Sequence, residues 1–74
     1  MSKLSQLAVG QEGVVASIDA SNIAAVRLME MGMTPGCPVK MIGSAPFGDP
    51  LEVEIRGYHL SLRRTEADLV ELES

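Results

Sequence analysis

Two short segments on either side of Gly57 constrain the fold of this chain more than any other feature. Residues 51–56 (LEVEIR) alternate strictly between apolar and charged side chains, and residues 58–63 (YHLSLR) alternate in the same way. A period of two places one face of a strand against a core and the other in water. The glycine between them favours a tight turn, so a β-hairpin that turns at Arg56-Gly57 is predicted.

Three further segments have the character of strands: residues 13–18, 39–42 and 69–72, separated by glycine and proline turn signals. Before the last of them, residues 64–68 are predicted to close one 3₁₀ turn with Thr65 as its N-cap. We therefore predict a mainly β fold, a small five-stranded SH3-like barrel with one short helix between the first two strands. At 74 residues the chain is expected to be a single domain over residues 1–74.

The predicted helix lies between Ser21, a candidate N-cap, and Gly32, a candidate C′ residue. Seven of the nine residues 23–31 are apolar, and only Arg27 and Glu30 are charged. A helix on a small barrel needs to bury a stripe of only about 100°. The remaining apolar surface is covered either by loops of the same domain or by a partner, and the sequence leaves both alternatives open.

Composition argues against several classes of protein. The chain has six Lys and Arg against ten Asp and Glu, which gives a net charge of -4. Nucleic-acid-binding domains, in contrast, carry a basic surface. The single cysteine cannot form an internal disulfide, which indicates a reducing compartment. No apolar run reaches the length of a signal peptide or a membrane span. A cytoplasmic protein that does not bind nucleic acid or insert into a membrane is expected.

Few residues are candidates for chemistry. The thioethers of Met29, Met31 and Met33 suit soft metals, but residues two apart do not share a helix face, so packing is favoured. Cys37 and His59 lack the paired short spacing of a zinc site, even with Asp49 added. We expect no catalytic residues, no metal ligands and no cofactor.

Three motifs together resemble the ferrous iron transport protein A family, FeoA: residues 28–36 (LMEMGMTPG), 45–50 (APFGDP) and 58–63 (YHLSLR). The resemblance implies an accessory protein of bacterial ferrous iron uptake. Such a protein would bind and regulate the transporter ferrous iron transport protein B, at its cytoplasmic G domain or its membrane part, without carrying iron itself.

The apolar helix and the two turns that follow it provide a hypothesis for the contact with that partner. Thr34-Pro35-Gly36 has the residues of a type II turn, and a second loop holds an aromatic residue near its centre. The expected docking surface consists of Leu28, Met29, Met31, Gly32, Met33, Pro35, Gly36, Phe47, Gly48, Asp49, Pro50 and Arg63.

Two alternatives stay open at this point. The same domain in metal-dependent repressors suggests a sensor or delivery protein for a divalent metal. An exposed apolar helix face could also form a homo-oligomer.

Overall fold

The computed structural model describes residues 2–73, which form one antiparallel sheet, two helices and two 3₁₀ turns. The strands are β1 (Ser2–Lys3), β2 (Glu12–Ile18), β3 (Pro38–Ser44), β4 (Leu51–Ile55), β5 (Tyr58–Leu62) and β6 (Val70–Leu72). The helices are α1 (Ile23–Glu30) and α2 (Arg64–Ala67), and the 3₁₀ turns are Leu4–Gln6 and Pro46–Gly48. No helix within residues 2–73 is long and apolar enough to cross a membrane.

The sheet confirms the mainly β prediction and adds one strand to it. The strand order is β1-β6-β2-β3-β4-β5, and every pair is antiparallel. The five predicted strands correspond to β2 to β6, and α1 lies between the first two of them as predicted. The additional strand, β1, has only two residues, which is too short for an alternation pattern to show in the sequence.

The hairpin predicted from the alternating segments is present, with Ile55 opposite Tyr58. Its two turn residues both have positive φ, 47° at Arg56 and 85° at Gly57, as a type I′ turn requires. This turn matches the twist of the flanking strands, so the β4–β5 register is fixed by the turn and by the apolar face.

The core lies on the inner face of the sheet. Leu51, Val53 and Ile55 of β4 are at most 2% exposed, while Glu52 and Glu54 between them face outward. Helix α1 covers part of this core with Ala25 and Leu28. The other buried apolar residues are Leu4, Val15, Met33, Cys37, Val39, Met41, Leu62, Ala67, Val70 and Leu72.

The helix termini differ from prediction in two details. Asn22, not Ser21, caps α1, since its Oδ1 accepts the amide of Ala24 at 2.9 Å. The turn before β6 is α-helical, and its N-cap is Arg63, not Thr65, because the Glu66 carboxylate reaches back to the Arg63 amide at 2.7 Å. A glutamate at the N3 position commonly accepts the backbone amide of the N-cap residue, which has no partner within the helix. The predicted C′ role of Gly32 is confirmed by its φ of 106°.

Candidate functional site

The residues expected to form one docking surface lie at opposite ends of β4. The 45–50 loop leads directly into Leu51, whereas the other end of β4 leads into Arg56, which contacts Gly32. Four residue steps separate Leu51 from Ile55, a distance of about 13 Å at the rise of an extended strand. The exposed members of the predicted docking surface therefore fall into two groups, which we describe in turn.

The first group, the helix-end surface, consists of Met29, Met31, Gly32, Pro35 and Gly36. Two side chains from the β4–β5 hairpin hold it in place. Arg56 donates from Nε to the Gly32 carbonyl oxygen at 2.8 Å, and the Tyr58 hydroxyl donates to the carbonyl oxygen of Met31. Met31 is the C-cap of α1, so the Tyr58 hydroxyl supplies a partner for a carbonyl that has none within the helix. Arg56 adds a second donor to the Gly32 carbonyl oxygen, which also accepts the Thr34 amide.

The turn that follows has the type II geometry predicted from its sequence. The amide of Cys37 donates to the Thr34 carbonyl oxygen at 3.0 Å, and Gly36 has a φ of 90°. Arg56 also reaches this turn, from Nη2 to Thr34 Oγ1 at 3.0 Å. One arginine thus fixes both the helix end and the turn.

Leu28 and Met33 do not belong to any surface. Leu28 is 3% exposed and Met33 is fully buried, and both pack in the core. The reason is the direction of α1: Leu28 lies three residues after Ala25 and therefore on the same, inward face. The exposed apolar side chains of α1 are Ile23 (73%) and Val26 (38%), which the docking hypothesis had omitted.

The second group, the loop surface, consists of Phe47, Gly48, Asp49, Pro50 and Arg63. Phe47 is fully exposed and has a φ of 72°, which is uncommon for a residue with a β-carbon. Two backbone hydrogen bonds close the loop: Ala45 to the Pro50 oxygen and Gly48 to the Ala45 oxygen, both at 2.9 Å. The phenyl ring therefore projects from a closed loop.

Arg64 fastens this loop to the rest of the protein. Its Nη2 donates to the Gly48 carbonyl oxygen and its Nη1 to that of Ser5, each at 3.0 Å, and its amide donates to Asp49 Oδ1 at 2.9 Å. Arg63, the arginine chosen from sequence, has only a 3.9 Å ion pair with Asp49 and an exposed side chain. No local pattern distinguishes two adjacent arginines, so the sequence could not identify Arg64.

The residues considered for a metal site are not brought together. Cys37 is buried in the core, with its Sγ donating to the Pro38 oxygen at 3.3 Å. His59 lies on the outer face of the sheet, with Nδ1 2.8 Å from Glu52 Oε2, and both side chains are about half exposed. Within residues 2–73, no group of three or more His, Cys, Asp or Glu side chains is placed to hold a metal ion.

Comparison with known proteins gives a consistent result. The FeoA domain family model matches residues 2–74. A Fe(2+) transport protein A/Fe(2+) transporter FeoB fusion protein of Porphyromonas gingivalis is 32% identical over 71 residues, which are 96% of this chain but 8% of the fusion protein. The chain thus spans less than a tenth of that relative.

Solved structures extend the likeness to the fold. The FeoA protein of Chlorobium tepidum is 38% identical with a TM-score of 0.88, over 96% of this chain and 68% of that one. Stenotrophomonas maltophilia FeoA, a procaryotic SH3 domain protein solved with zinc, is 32% identical with a TM-score of 0.86, over 99% and 91% of the two chains. The SH3-like fold predicted from the strand pattern is thereby confirmed.

Proposed function

The chain belongs to the FeoA domain family, and on that premise we propose that it is an accessory protein of bacterial ferrous iron transport. In this proposal it acts in the cytoplasm as a single domain that binds a transporter of the FeoB class and regulates it through protein–protein contact. It performs no catalysis and needs no cofactor.

The fusion protein of Porphyromonas gingivalis supports the choice of partner. In that relative a FeoA segment and a FeoB transporter belong to one polypeptide. Joining two modules raises the effective concentration of each for the other, so an interaction between them is favoured even when it is weak. We propose the same pairing for this chain, with the FeoA domain and the transporter as two separate proteins.

The observation that carries the proposal is the fully exposed ring of Phe47 on a loop whose backbone is held in place. An exposed phenylalanine contributes little to folding, yet the loop around it is closed by backbone hydrogen bonds and held by Arg64. Binding costs less free energy when the loop that carries the contacting group is already ordered, and aromatic anchors dominate many interfaces. We assign Phe47 as the anchor that enters an apolar pocket of the transporter.

The other members of the loop surface complete this contact. The exposed guanidinium of Arg63 lies beside the loop, close to Asp49, and is available to an acidic group on the rim of such a pocket. The helix-end surface, at the other end of β4, presents a half-exposed Met31 and an exposed Pro35-Gly36 turn. We assign it a second, separate contact with the transporter.

The test is a binding titration with matched variants. The ¹⁵N-labelled chain is titrated with the FeoB G domain and with the full transporter in nanodiscs. We expect Phe47→Ala to raise the Kd at least tenfold with an unchanged Tm. Ile23→Ala removes another exposed apolar side chain, on α1, and should leave the Kd unchanged.

Two results would contradict the proposal: absence of binding by the unaltered chain to either form of the partner, or equal affinities for Phe47→Ala and the unaltered chain. A zinc and ferrous iron titration of the isolated chain addresses metal delivery. That alternative requires a stoichiometric site of micromolar affinity or tighter.

A further inference from the structure

Strand β5 forms an open edge of the sheet. It pairs with β4 on one side, and no strand formed by residues 2–73 pairs with it on the other. Its ladder with β4 runs without a register shift from Leu51–Leu62 to Ile55–Tyr58, whereas the β2–β6 and β3–β4 ladders both contain a shift. The β4–β5 ladder is therefore regular, and β5 presents a regular backbone edge on which another strand can pair.

The hairpin geometry determines which backbone groups point outward. In a two-residue hairpin the residues that flank the turn, Ile55 and Tyr58, form a hydrogen-bonded pair, and the pairs then alternate. Leu60 and Leu62 consequently direct their amides and carbonyls toward β4. Those of His59 and Ser61 point away from the sheet, and no hydrogen bond to them from the rest of residues 2–73 is present.

This edge lacks the usual protection. Exposed edges are commonly blocked by a lysine, a proline or a bulge, and the β5 sequence, YHLSL, contains none of these. The opposite edge of the sheet, β1, has only two residues. Of these two edge strands, only β5 has two residues, His59 and Ser61, whose backbone amides and carbonyls both point away from the sheet at a regular spacing.

The side chains around the edge define what could lie against it. On the outer face, Glu54 stands directly opposite His59 and has no ion pair within residues 2–73, whereas the neighbouring Glu52 is bonded to His59. On the inner face, Leu60 is half-buried and Tyr58 is 41% exposed. An added strand would therefore place basic side chains outward and apolar ones inward, a choice that the net charge of -4 also favours.

We propose that the β5 edge binds an extended segment of the transporter, with alternating basic and apolar residues, as an additional strand. This inference rests on the proposed function, because the segment belongs to the same partner. Backbone hydrogen bonds to His59 and Ser61 supply the affinity and the alternating side chains supply the specificity. The segment extends the sheet past β5, so the domain and the transporter share one sheet.

A second copy of this chain fits the edge less well. Antiparallel pairing of two β5 strands would join only residues 59–61 of each copy through their outward-facing groups. Such a contact alone is far smaller than the roughly 1,200 Å² of a stable interface, whereas the transporter is also bound through the loop surface and the helix-end surface. It would also bring together two chains that each carry a net charge of -4.

Proline at position 61 tests the proposal, because the Ser61 amide points outward. Ser61→Pro removes a donor for the added strand without removing a hydrogen bond to β4, as prolines on free strand edges do. We expect its Kd for the transporter in nanodiscs to rise at least tenfold. Ser61→Ala keeps the amide and should bind as the unaltered chain does, and Phe47→Ala reports separately on the loop surface.

Amide hydrogen exchange of the unaltered chain provides a readout that no variant can disturb by misfolding. In the free chain the His59 and Ser61 amides should exchange fast and the Leu60 amide slowly. In the complex, exchange at His59 and Ser61 should slow at least tenfold.

The outcomes separate the two proposals. If Phe47→Ala weakens binding while a folded Ser61→Pro binds normally, or the two amides stay unprotected in the complex, the edge proposal is overturned and the proposed function stands. If the unaltered chain does not bind the transporter, both fail. Protection of His59 and Ser61 that grows with the concentration of the chain alone would assign the edge to a second copy and overturn the proposal.

Discussion

Arg56 and Gly32 are in direct contact, although 24 residues separate them, through a 2.8 Å hydrogen bond from Nε to the glycine carbonyl oxygen. The contact requires a glycine for two reasons. Gly32 has a φ of 106°, and a β-carbon at this position would stand 2.9 Å from Arg56 Cδ. The end of α1 and the β4–β5 hairpin therefore depend on each other for their position.

Comparison with a second glycine separates these two reasons. Gly10 also has a positive φ, 88°, but a β-carbon there would meet no atom within 4 Å. Backbone strain alone should make Gly10→Ala cost about 1–2 kcal/mol. Gly32→Ala should cost about 1 kcal/mol more in urea unfolding, because Arg56 must move and its hydrogen bond is lost.

A double variant completes that test. Arg56→Ala removes the side chain that a new β-carbon at position 32 would strike. Introducing Arg56→Ala into the Gly32→Ala variant should therefore lower the free energy of unfolding by less than the same substitution does in the unaltered chain. Equal unfolding free energies for Gly10→Ala and Gly32→Ala would show that the close approach has no energetic effect.

Leu28 and Ile23 should respond in opposite ways to truncation, although both are apolar residues of α1. Leu28 is 3% exposed within the core, so Leu28→Ala should destabilise by about 2–5 kcal/mol, which for a domain of this size approaches the whole stability. Ile23 is 73% exposed, and Ile23→Ala should change the free energy of unfolding by less than about 0.5 kcal/mol. Circular dichroism during thermal unfolding measures both, and similar values would contradict the placement of α1.

The sequence predicted those features of the fold that depend on local pattern. Alternation on either side of Gly57 identified β4, β5 and their turn, and Gly32 was identified as the end of α1. The sequence did not show which side of α1 is buried, because seven of the nine residues 23–31 are apolar. Burial of Leu28 is decided by the sheet against which the helix packs.

The candidate site was harder to predict than the fold, because it depends on contacts distant in sequence. The type II turn at Pro35-Gly36 and the exposed aromatic of the 45–50 loop were identified as features. Their separation follows from the β3–β4 pairing, which sends the loop and the turn to opposite ends of β4. The long-range bonds of Arg56 and Arg64 leave no trace in local sequence.

The acid response of Asp19 is a further prediction. Its Oδ1 accepts the Ser21 hydroxyl at 2.5 Å and the Ser21 amide at 3.1 Å, and these bonds hold the pKa of the Asp19 carboxyl below the usual value for aspartate. A carboxyl whose pKa is lower in the folded state stabilises the fold above the unfolded pKa, near 4. That contribution is lost as the pH falls through the folded pKa.

NMR titration of the Asp19 carboxyl carbon measures this pKa directly. The Ser21 hydroxyl makes the largest contribution to the lowered pKa of Asp19. Ser21→Ala removes this hydroxyl and keeps the Ser21 backbone amide, so the pKa of Asp19 should rise part of the way to the ordinary value. The free energy of unfolding of the Asp19→Asn variant should depend less on pH between about 2 and 4 than that of the unaltered chain. A pKa at or above the ordinary value in the unaltered chain would show that these hydrogen bonds do not persist in solution.

The two adjacent arginines allow a test of what holds the Phe47 loop rigid. Arg64 bonds to both Gly48 and Ser5, so Arg64→Ala should release the loop, whereas Arg63→Ala removes only a 3.9 Å exposed ion pair. The {¹H}-¹⁵N heteronuclear NOE of Phe47 and Gly48 should fall in Arg64→Ala and stay unchanged in Arg63→Ala. Because a loop that is already ordered binds at a lower entropic cost, Arg64→Ala should also weaken transporter binding while Phe47 itself is intact. A loop that is equally rigid in both variants would mean that its own backbone hydrogen bonds suffice, and Arg64 would then have no part in presenting the aromatic ring.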